Sequence, residues 1–189
     1  QTKVKSKILA GVSNLVYNKT LGNIMQSNLD QLGAPDFSKE DHLYAKKYQD
    51  TLTRKDIESA YSHAGIDIVE GQVLAETVVA GDVKPVDMGG STDVADVSWV
   101  VPTVSLWGAN YAIGTPFHSW QMTAQGKSSI AIKGMTHAAM VMAATGSDLI
   151  SNKTILDDAW SEHNKTIEKE GYMLPISLSA SPPIKDMAP

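Results

Sequence analysis

The 189-residue sequence contains no cysteine, so neither disulfides nor thiolate metal sites are possible within it. A net charge of -5 provides no basic surplus to neutralise phosphates, which argues against nucleic acid as a partner. No apolar run approaches the roughly 20 residues of a membrane span, and the opening QTKVKSK lacks the apolar core of a secretory signal. We therefore expect a cytoplasmic protein with neither a nucleic-acid nor a membrane partner.

The residues that are present suit one soluble domain with a sizeable core, since 42% are hydrophobic and 20% are charged. The chain opens on Gln1 instead of Met and continues directly into strand-like sequence, which suggests a piece of a longer protein. Residues 3–16 alternate loosely and predict a strand. No partner strand is adjacent in sequence, so we expect another segment to supply its sheet.

Capping and breaking residues predict the helices. Thr20 is the expected cap of a helix that Gly33 ends, and Ser38 with Asp41 resembles a capping box for the next. Further helices are predicted over 54–62, Thr92–Trp99, Ser128–Ala144 with Gly146 as its end, and Lys153–Lys169. Between them, Val73–Val79 is a possible strand and Val100–Trp107 a predicted buried strand.

The stretch from Gly89 to Gln125 is the densest in groups that can do chemistry. Gly89 and Gly90 let the backbone turn sharply, and Ser91, Thr92 and Asp93 follow where a helix begins. Unpaired N–H groups there form a small cradle suited to a carboxylate. The alternative is a tight turn with an ordinary helix cap, which the motif alone favours by about two to one.

His118 lies in Gly-Thr-Pro-Phe-His-Ser-Trp, where glycine and proline stiffen the loop and apolar neighbours exclude water. A neutral imidazole held in this way is a good metal ligand. The alternative is a histidine hydrogen-bonded within its loop, which the chemistry alone favours because no HxH or HExxH pair is present. The tryptophans of this stretch indicate core or pocket wall, and the five methionines from Met122 to Met173 indicate gap-filling core residues.

Three stretches closely resemble the family of dinuclear-metal exopeptidases and amidohydrolases, which includes aminoacylases and glutamate carboxypeptidase. They are Gly90–Pro102, Ala112–Gln121 and Gln125–Met135. Tyr17–Leu21 and Leu32–Pro35 look like the family's return from its lid domain. The resemblance covers nearly the whole chain, and its central motifs are specific.

The resemblance implies an α/β catalytic domain, with a mixed sheet flanked by helices, that is split by an inserted lid or dimerisation domain. Residues 1–16 look like the last strand of that insert, and residues 17–189 like the C-terminal half of the catalytic domain. His118 matches the family's last metal ligand. Gly90, Ser91, Thr92 and Asp93 match a loop that lines the substrate site, with Asp96 as a supporting residue.

The resemblance also implies two divalent metal ions, zinc or manganese, and an N-acyl amino acid substrate, with p-aminobenzoyl-glutamate as the best single candidate. It further implies that the intact protein forms a homodimer through the inserted domain. The family's other ligands and its general-base glutamate lie upstream of the matched region. We therefore expect no catalytic residue in this chain and no activity from it alone.

Two other interpretations stay open. The chain could be a non-catalytic binding or oligomerisation module that retains the pocket shape. It could also be a complete hydrolase domain with a triad of Ser91, Asp93 and His118, although no nucleophile-elbow pattern supports this.

Overall fold

A computed structural model of the chain describes residues 2–6, 8–81, 90–181 and 184. These residues form a helical structure. The helices are α1 (Lys19–Leu32), α2 (Lys39–Gln49), α3 (Arg54–Ala64), α4 (Val94–Ser98), α5 (Trp120–Gln125), α6 (Ser129–Ser151) and α7 (Lys153–Glu170). Within the described residues, no helix is long and apolar enough to cross a bilayer.

The predicted α/β fold with a mixed sheet is wrong, because the described residues contain no β-strand. The first segment carries Val4 and Ile8 at 90% and 75% exposure instead of presenting them to a sheet. Val100–Trp107 forms a turn followed by extended backbone, and Val73–Val79 is irregular. A strand requires ladder hydrogen bonds to a neighbour. Within the described residues, Val73 accepts one backbone hydrogen bond, from the N–H of Ile113 at 2.9 Å, which does not amount to a ladder.

The predicted helices form, with changes at their ends. Asn18, not Thr20, caps α1, since its Oδ1 accepts the Leu21 N–H at 3.0 Å, and Gly33 ends the helix as predicted. The capping box of Ser38 and Asp41 is confirmed. α6 continues through Gly146, contrary to prediction, because a helical glycine costs only about 1 kcal/mol. Asn152 ends α6 and caps α7.

Helices α1, α6 and α7 pack against one another. Asn28 of α1 is buried and donates through Nδ2 to Asp148 Oδ2 of α6 at 2.8 Å. Glu162 of α7 accepts the N–H groups of Lys19 and Thr20 at 2.6 and 2.9 Å. Two of the unpaired amides at the start of α1 are therefore satisfied by another helix.

A second group of buried side chains joins α2, the start of α6 and two irregular segments; its members are Phe37, Ala45, Val73, Leu74, Ala112 and Ile130. Lys133 of α6 donates to the buried carboxylate of Asp41 at 2.7 Å across the same junction. This core fixes the segment that leads into the turn carrying His118.

Candidate functional site

The buried side-chain amide of Gln125 holds the turn that carries His118 in place. Gln125, only 1% exposed, accepts the N–H of Ala112 through Oε1 at 2.8 Å. Its Nε2 donates to Thr115 Oγ1 at 3.0 Å and to the carbonyl of Gln121 at 3.1 Å. The sequence analysis did not single out Gln125, because its contact with Ala112 depends on how α5 folds against the turn. Satisfied buried networks of this kind make a segment rigid.

Gly114 allows the same turn to approach α3 closely. Its φ of 91° lies in the region that favours glycine, and a Cβ there would stand 3.0 Å from the Cα of Ile57. Thr115 Oγ1 closes the turn by donating to the carbonyl of Ala112 at 2.7 Å. The stiff loop that was predicted from glycine and proline therefore has two further causes, a buried amide and a tight backbone contact.

His118 itself is exposed and has a φ of 58°, a left-handed conformation that non-glycine residues adopt rarely. The next residue, Ser119, caps α5 by accepting the Met122 N–H at 3.2 Å and donates to the carbonyl of Pro116 at 2.7 Å. The imidazole makes no hydrogen bond to any residue that the structure describes. The alternative, in which His118 forms a hydrogen bond within its own loop, is therefore wrong.

An exposed imidazole on a fixed turn can accept a metal ion, yet one ligand does not make a site. Residues 2–6, 8–81, 90–181 and 184 contain no group of three or more histidine, aspartate or glutamate side chains placed to hold a metal ion. The part of the chain that the structure describes therefore does not supply three ligands to one metal ion, and a complete site would need ligands from elsewhere.

Aromatic rings surround the turn on its outer side. The Phe117 ring lies 5.9 Å from Trp107 and 6.1 Å from Tyr111, both edge-on. Trp120 lies 6.1 Å from Tyr48. Burial raises the pKa of the Tyr111 phenol above its ordinary value. Trp107 and Trp120 are each 62% exposed, so neither is a core residue, and the alternative prediction of a pocket wall stays a prediction.

The predicted substrate loop lies at the start of α4. Gly90, Ser91, Thr92 and Asp93 are all exposed, and Gly89 lies outside the described residues. Thr92 Oγ1 accepts the N–H of Val94 at 3.3 Å, whereas Asp93, the N-cap residue of α4, makes no side-chain cap hydrogen bond. The substrate-binding role of these residues stays a prediction.

Helix α4 is attached to the N-terminal segment. Ser98 Oγ accepts the N–H of Val16 at 2.8 Å, and Trp99 Nε1 donates to the carbonyl of Asn14 at 2.8 Å. Asp96, predicted as a supporting residue, accepts the N–H of Ser13 at 3.3 Å. The carboxylate of Asp96 is thus occupied in holding residues 13–16 to α4.

The structure does not assemble the proposed triad. No hydrogen bond between described residues joins Ser91, Asp93 and His118, whereas a nucleophile and its base need to be within hydrogen-bond reach. The physical reason is that the two segments are anchored to different elements, one to residues 13–16 and the other to α3 and Gln125. An open groove of about 640 Å³ lies elsewhere and is lined by Ser6, Ile8 and residues between Leu174 and Ala180.

Comparison with known proteins identifies a relative over almost the entire chain. A subunit of the p-aminobenzoyl-glutamate hydrolase of Escherichia coli (strain K12) is 35% identical over 196 aligned positions, which cover 98% of this chain and 41% of that protein. The chain is a relative of this hydrolase subunit. This similarity confirms the resemblance to a hydrolase that was inferred from the sequence motifs. The chain spans about two fifths of the relative's length. No family model matches it, and no solved structure does.

Proposed function

We propose that the chain forms part of a metal-dependent amidohydrolase that cleaves the amide bond of an N-acyl amino acid. The observation that carries the proposal is the similarity to a hydrolase subunit over 98% of the chain. The name of that relative makes p-aminobenzoyl-glutamate the best single candidate substrate. Cleavage of this amide releases aminobenzoate and glutamate.

In this proposal His118 supplies one ligand to a pair of divalent ions, zinc or manganese, and the remaining ligands come from polypeptide outside this chain. The exposed ring, free of hydrogen bonds within the described residues, supports that role. Metal ions bound there would polarise the amide carbonyl and lower the pKa of a bound water. The chain's own contribution is to hold the imidazole in place through Gln125 and Gly114.

The loop at Gly90, Ser91, Thr92 and Asp93 is proposed to bind the carboxylate of the amino acid product. The exposed hydroxyls of Ser91 and Thr92 can donate hydrogen bonds to it. Thr92 Oγ1 already accepts from Val94, so its own proton is available for a ligand. This arrangement provides binding but no general base, which is consistent with the expectation that the chain alone is inactive.

The test compares the chain alone with the chain co-expressed with the part of the E. coli subunit that it does not match. We expect no hydrolysis of p-aminobenzoyl-glutamate by the chain alone with added zinc or manganese. We expect hydrolysis by the assembled protein, which His118→Ala lowers on the order of 100-fold or more in kcat/KM. His63→Ala, at another exposed histidine, is the matched control and leaves the rate unchanged.

Hydrolysis by the chain alone, or full activity of the assembled His118→Ala variant, would contradict the proposal. Assembly without any hydrolysis would favour the second interpretation, a non-catalytic binding module. That interpretation is supported by the large apolar side chains that α6 exposes, among them Met135, Met142 and Ile150. The prediction of gap-filling core residues is therefore wrong for these two methionines. Homodimer formation by the intact protein and a cytoplasmic location stay predictions.

A further inference from the structure

The stretch of chain around His118 carries no formal charge. From Val97 to Gly126 the sequence contains no lysine, arginine, aspartate or glutamate, although 20% of the whole chain is charged. Aromatic residues are frequent in the same stretch and are Trp99, Trp107, Tyr111, Phe117 and Trp120. Ligand sites are lined mainly by apolar and aromatic side chains, and this composition favours a neutral, flat ligand over an ion.

Three of these side chains, Trp107, Tyr111 and Phe117, pack together, and we call them the aromatic corner. The centroid of the Phe117 ring lies 5.9 Å from that of Trp107, at an interplanar angle of 61°, and 6.1 Å from that of Tyr111, at 80°. Rings inclined in this way form the walls of a corner instead of one flat surface. Trp107 is 62% and Phe117 50% exposed, whereas Tyr111 is half-buried. A further ring can therefore enter from the solvent side and adopt the edge-to-face arrangement that aromatic pairs prefer.

The contacts that fix the turn of His118 also fix the aromatic corner. Tyr111 directly precedes Ala112, whose N–H donates to Gln125 Oε1 at 2.8 Å. Phe117 lies two residues after Thr115, whose Oγ1 accepts from Gln125 Nε2 at 3.0 Å. The backbone on which these rings stand is thus held before any ligand arrives. Binding to a site that is held in this way costs less conformational entropy.

The aromatic corner lies directly beside His118 in the chain. Phe117 and His118 are consecutive, so their Cα atoms are about 3.8 Å apart. In an aminobenzoyl amide the ring is bonded to the carbonyl carbon that water attacks, so the ring has to lie close to any metal ion that polarises this carbonyl. We propose that the aromatic corner binds the aromatic acyl group of the substrate and makes the enzyme prefer aromatic over aliphatic acyl groups. The choice of ligand rests on the proposed function.

The chemistry of the corner separates the two ends of such a substrate. The aminobenzoyl group is uncharged at neutral pH, as is the stretch from Val97 to Gly126. The glutamate end carries carboxylates, for which this stretch has no lysine or arginine, and an unpaired charge is costly to bury. A second protein chain on the corner would cover the neighbouring His118 and block the approach of a substrate to it. A small aromatic ligand leaves that approach open.

The first test needs no hydrolysis and uses the chain alone. The probe is p-aminobenzamide, which has the aromatic acyl group and an amide but no carboxylate, and acetamide is the aliphatic control. We expect p-aminobenzamide to shift the indole N–H signal of Trp107 in a ¹⁵N-correlated NMR spectrum and to leave that of Trp160 unchanged. Trp107→Leu and Trp160→Leu assign the two signals.

Two substitutions at Phe117 separate loss of the ring from a change of side chain. Phe117→Leu should weaken binding of p-aminobenzamide about 3- to 10-fold, because it removes one ring of the corner. Phe117→Tyr keeps a ring and should retain binding. Circular dichroism verifies that both variants remain helical. An unshifted Trp107 signal, an equal shift with acetamide, or unchanged affinity of Phe117→Leu would overturn the proposal.

The second test measures selectivity in the chain co-expressed with the unmatched part of the E. coli subunit. The readout is the ratio of kcat/KM for benzoyl-glutamate to that for acetyl-glutamate. We expect Trp107→Leu/Phe117→Leu to lower this ratio about 10-fold by slowing only the benzoyl substrate. Trp160→Leu is the matched control, since Trp160 lies on α7 and packs against His163 instead.

An equal loss for both substrates would overturn the proposal, because a merely structural defect slows both. So would self-association or binding to phosphatidylcholine vesicles that Phe117→Leu abolishes, since either would give the corner a different occupant. If the assembled protein hydrolyses neither substrate while p-aminobenzamide binds as expected, the proposed function is refuted and the aromatic corner keeps its ligand class.

Discussion

The carbonyl oxygen of Ala109 occupies the place that a Cβ on Gly134 would take, and the Cβ of Asn110 lies 2.6 Å from the same point. Gly134→Ala should therefore destabilise the protein by about 1–3 kcal/mol, although alanine is intrinsically the better helix former by about 1 kcal/mol. The loss arises because the backbone of residues 109–110 has to move away from α6. Urea unfolding followed by circular dichroism measures it.

Gly146 in the same helix is the matched control, since a Cβ there meets nothing within 4 Å. Gly146→Ala should stabilise the protein by about 0.5–1 kcal/mol through helix propensity alone. If both substitutions changed the free energy of unfolding in the same direction, the close contact between Ala109 and Gly134 would not exist in solution.

The buried carboxylate of Asp41 makes stability depend on pH. Burial by itself would raise its pKa, but hydrogen bonds from Lys133, the Ser38 N–H and Ser129 outweigh it and lower the pKa from 3.8 to about 2. The folded state thus favours the charged form, so this stabilisation is complete above pH 3.8 and is lost as the pH falls towards 2. With Lys133 partly exposed, it amounts to about 1–2 kcal/mol.

Asp41→Asn should remove the part of the acid-induced loss of stability that is due to Asp41. Thermal unfolding between about pH 2 and 5 measures this loss. Asp56→Asn is the control, because Asp56 forms the capping box of α3 in the same way but is only partly buried. Equal effects of the two substitutions on the pH dependence would show that burial and Lys133 contribute nothing at Asp41.

Gln125→Leu should destabilise the protein by about 2–3 kcal/mol, because it leaves the buried Ala112 N–H and Thr115 hydroxyl without their partner. Gln121→Leu is the control, since that side chain makes only a 3.4 Å contact with Thr51. Urea unfolding gives the free energies. A Gln125→Leu protein as stable as the control would show that the amide does not hold the turn.

The left-handed backbone of His118 predicts a difference between two ways of removing its ring. His118→Ala keeps a side chain at a φ of 58°, whereas His118→Gly removes the steric cost of that conformation. We expect the glycine variant to be more stable than the alanine variant by about 1 kcal/mol in chemical denaturation. Equal stabilities would indicate that the turn relaxes when the ring is lost.

The sequence predicted the helices well because their signals are local. Asparagine and serine caps, and glycines at helix ends, act within one turn of backbone, and Gly33, Gly65 and Gly171 follow α1, α3 and α7. The strands could not be predicted in the same way. Val100–Trp107 has the composition of a strand, but pairing depends on a second segment, which the described residues do not supply.

For the candidate site, the sequence predicted the turn that carries His118 but not the side chain of Gln125 that holds it. Glycine, proline and His118 mark the turn directly. That Gln125 reaches back to Ala112 depends on how α5 folds against the turn, which no spacing rule encodes. The resemblance was recognisable because motifs such as Gly90–Pro102 are carried by residue identities, and these are independent of the secondary structure predicted for them.

The exposed apolar side chains of α6, which are Ile132, Met135, Met140, Met142 and Ile150, also set a temperature dependence. Hydration of apolar groups contributes less to association on cooling, and these side chains form no ion pair that could compensate. Whatever this surface holds should be held more loosely near the freezing point of water than at body temperature. Preparations of the assembled protein should therefore stay assembled longer at room temperature than on ice.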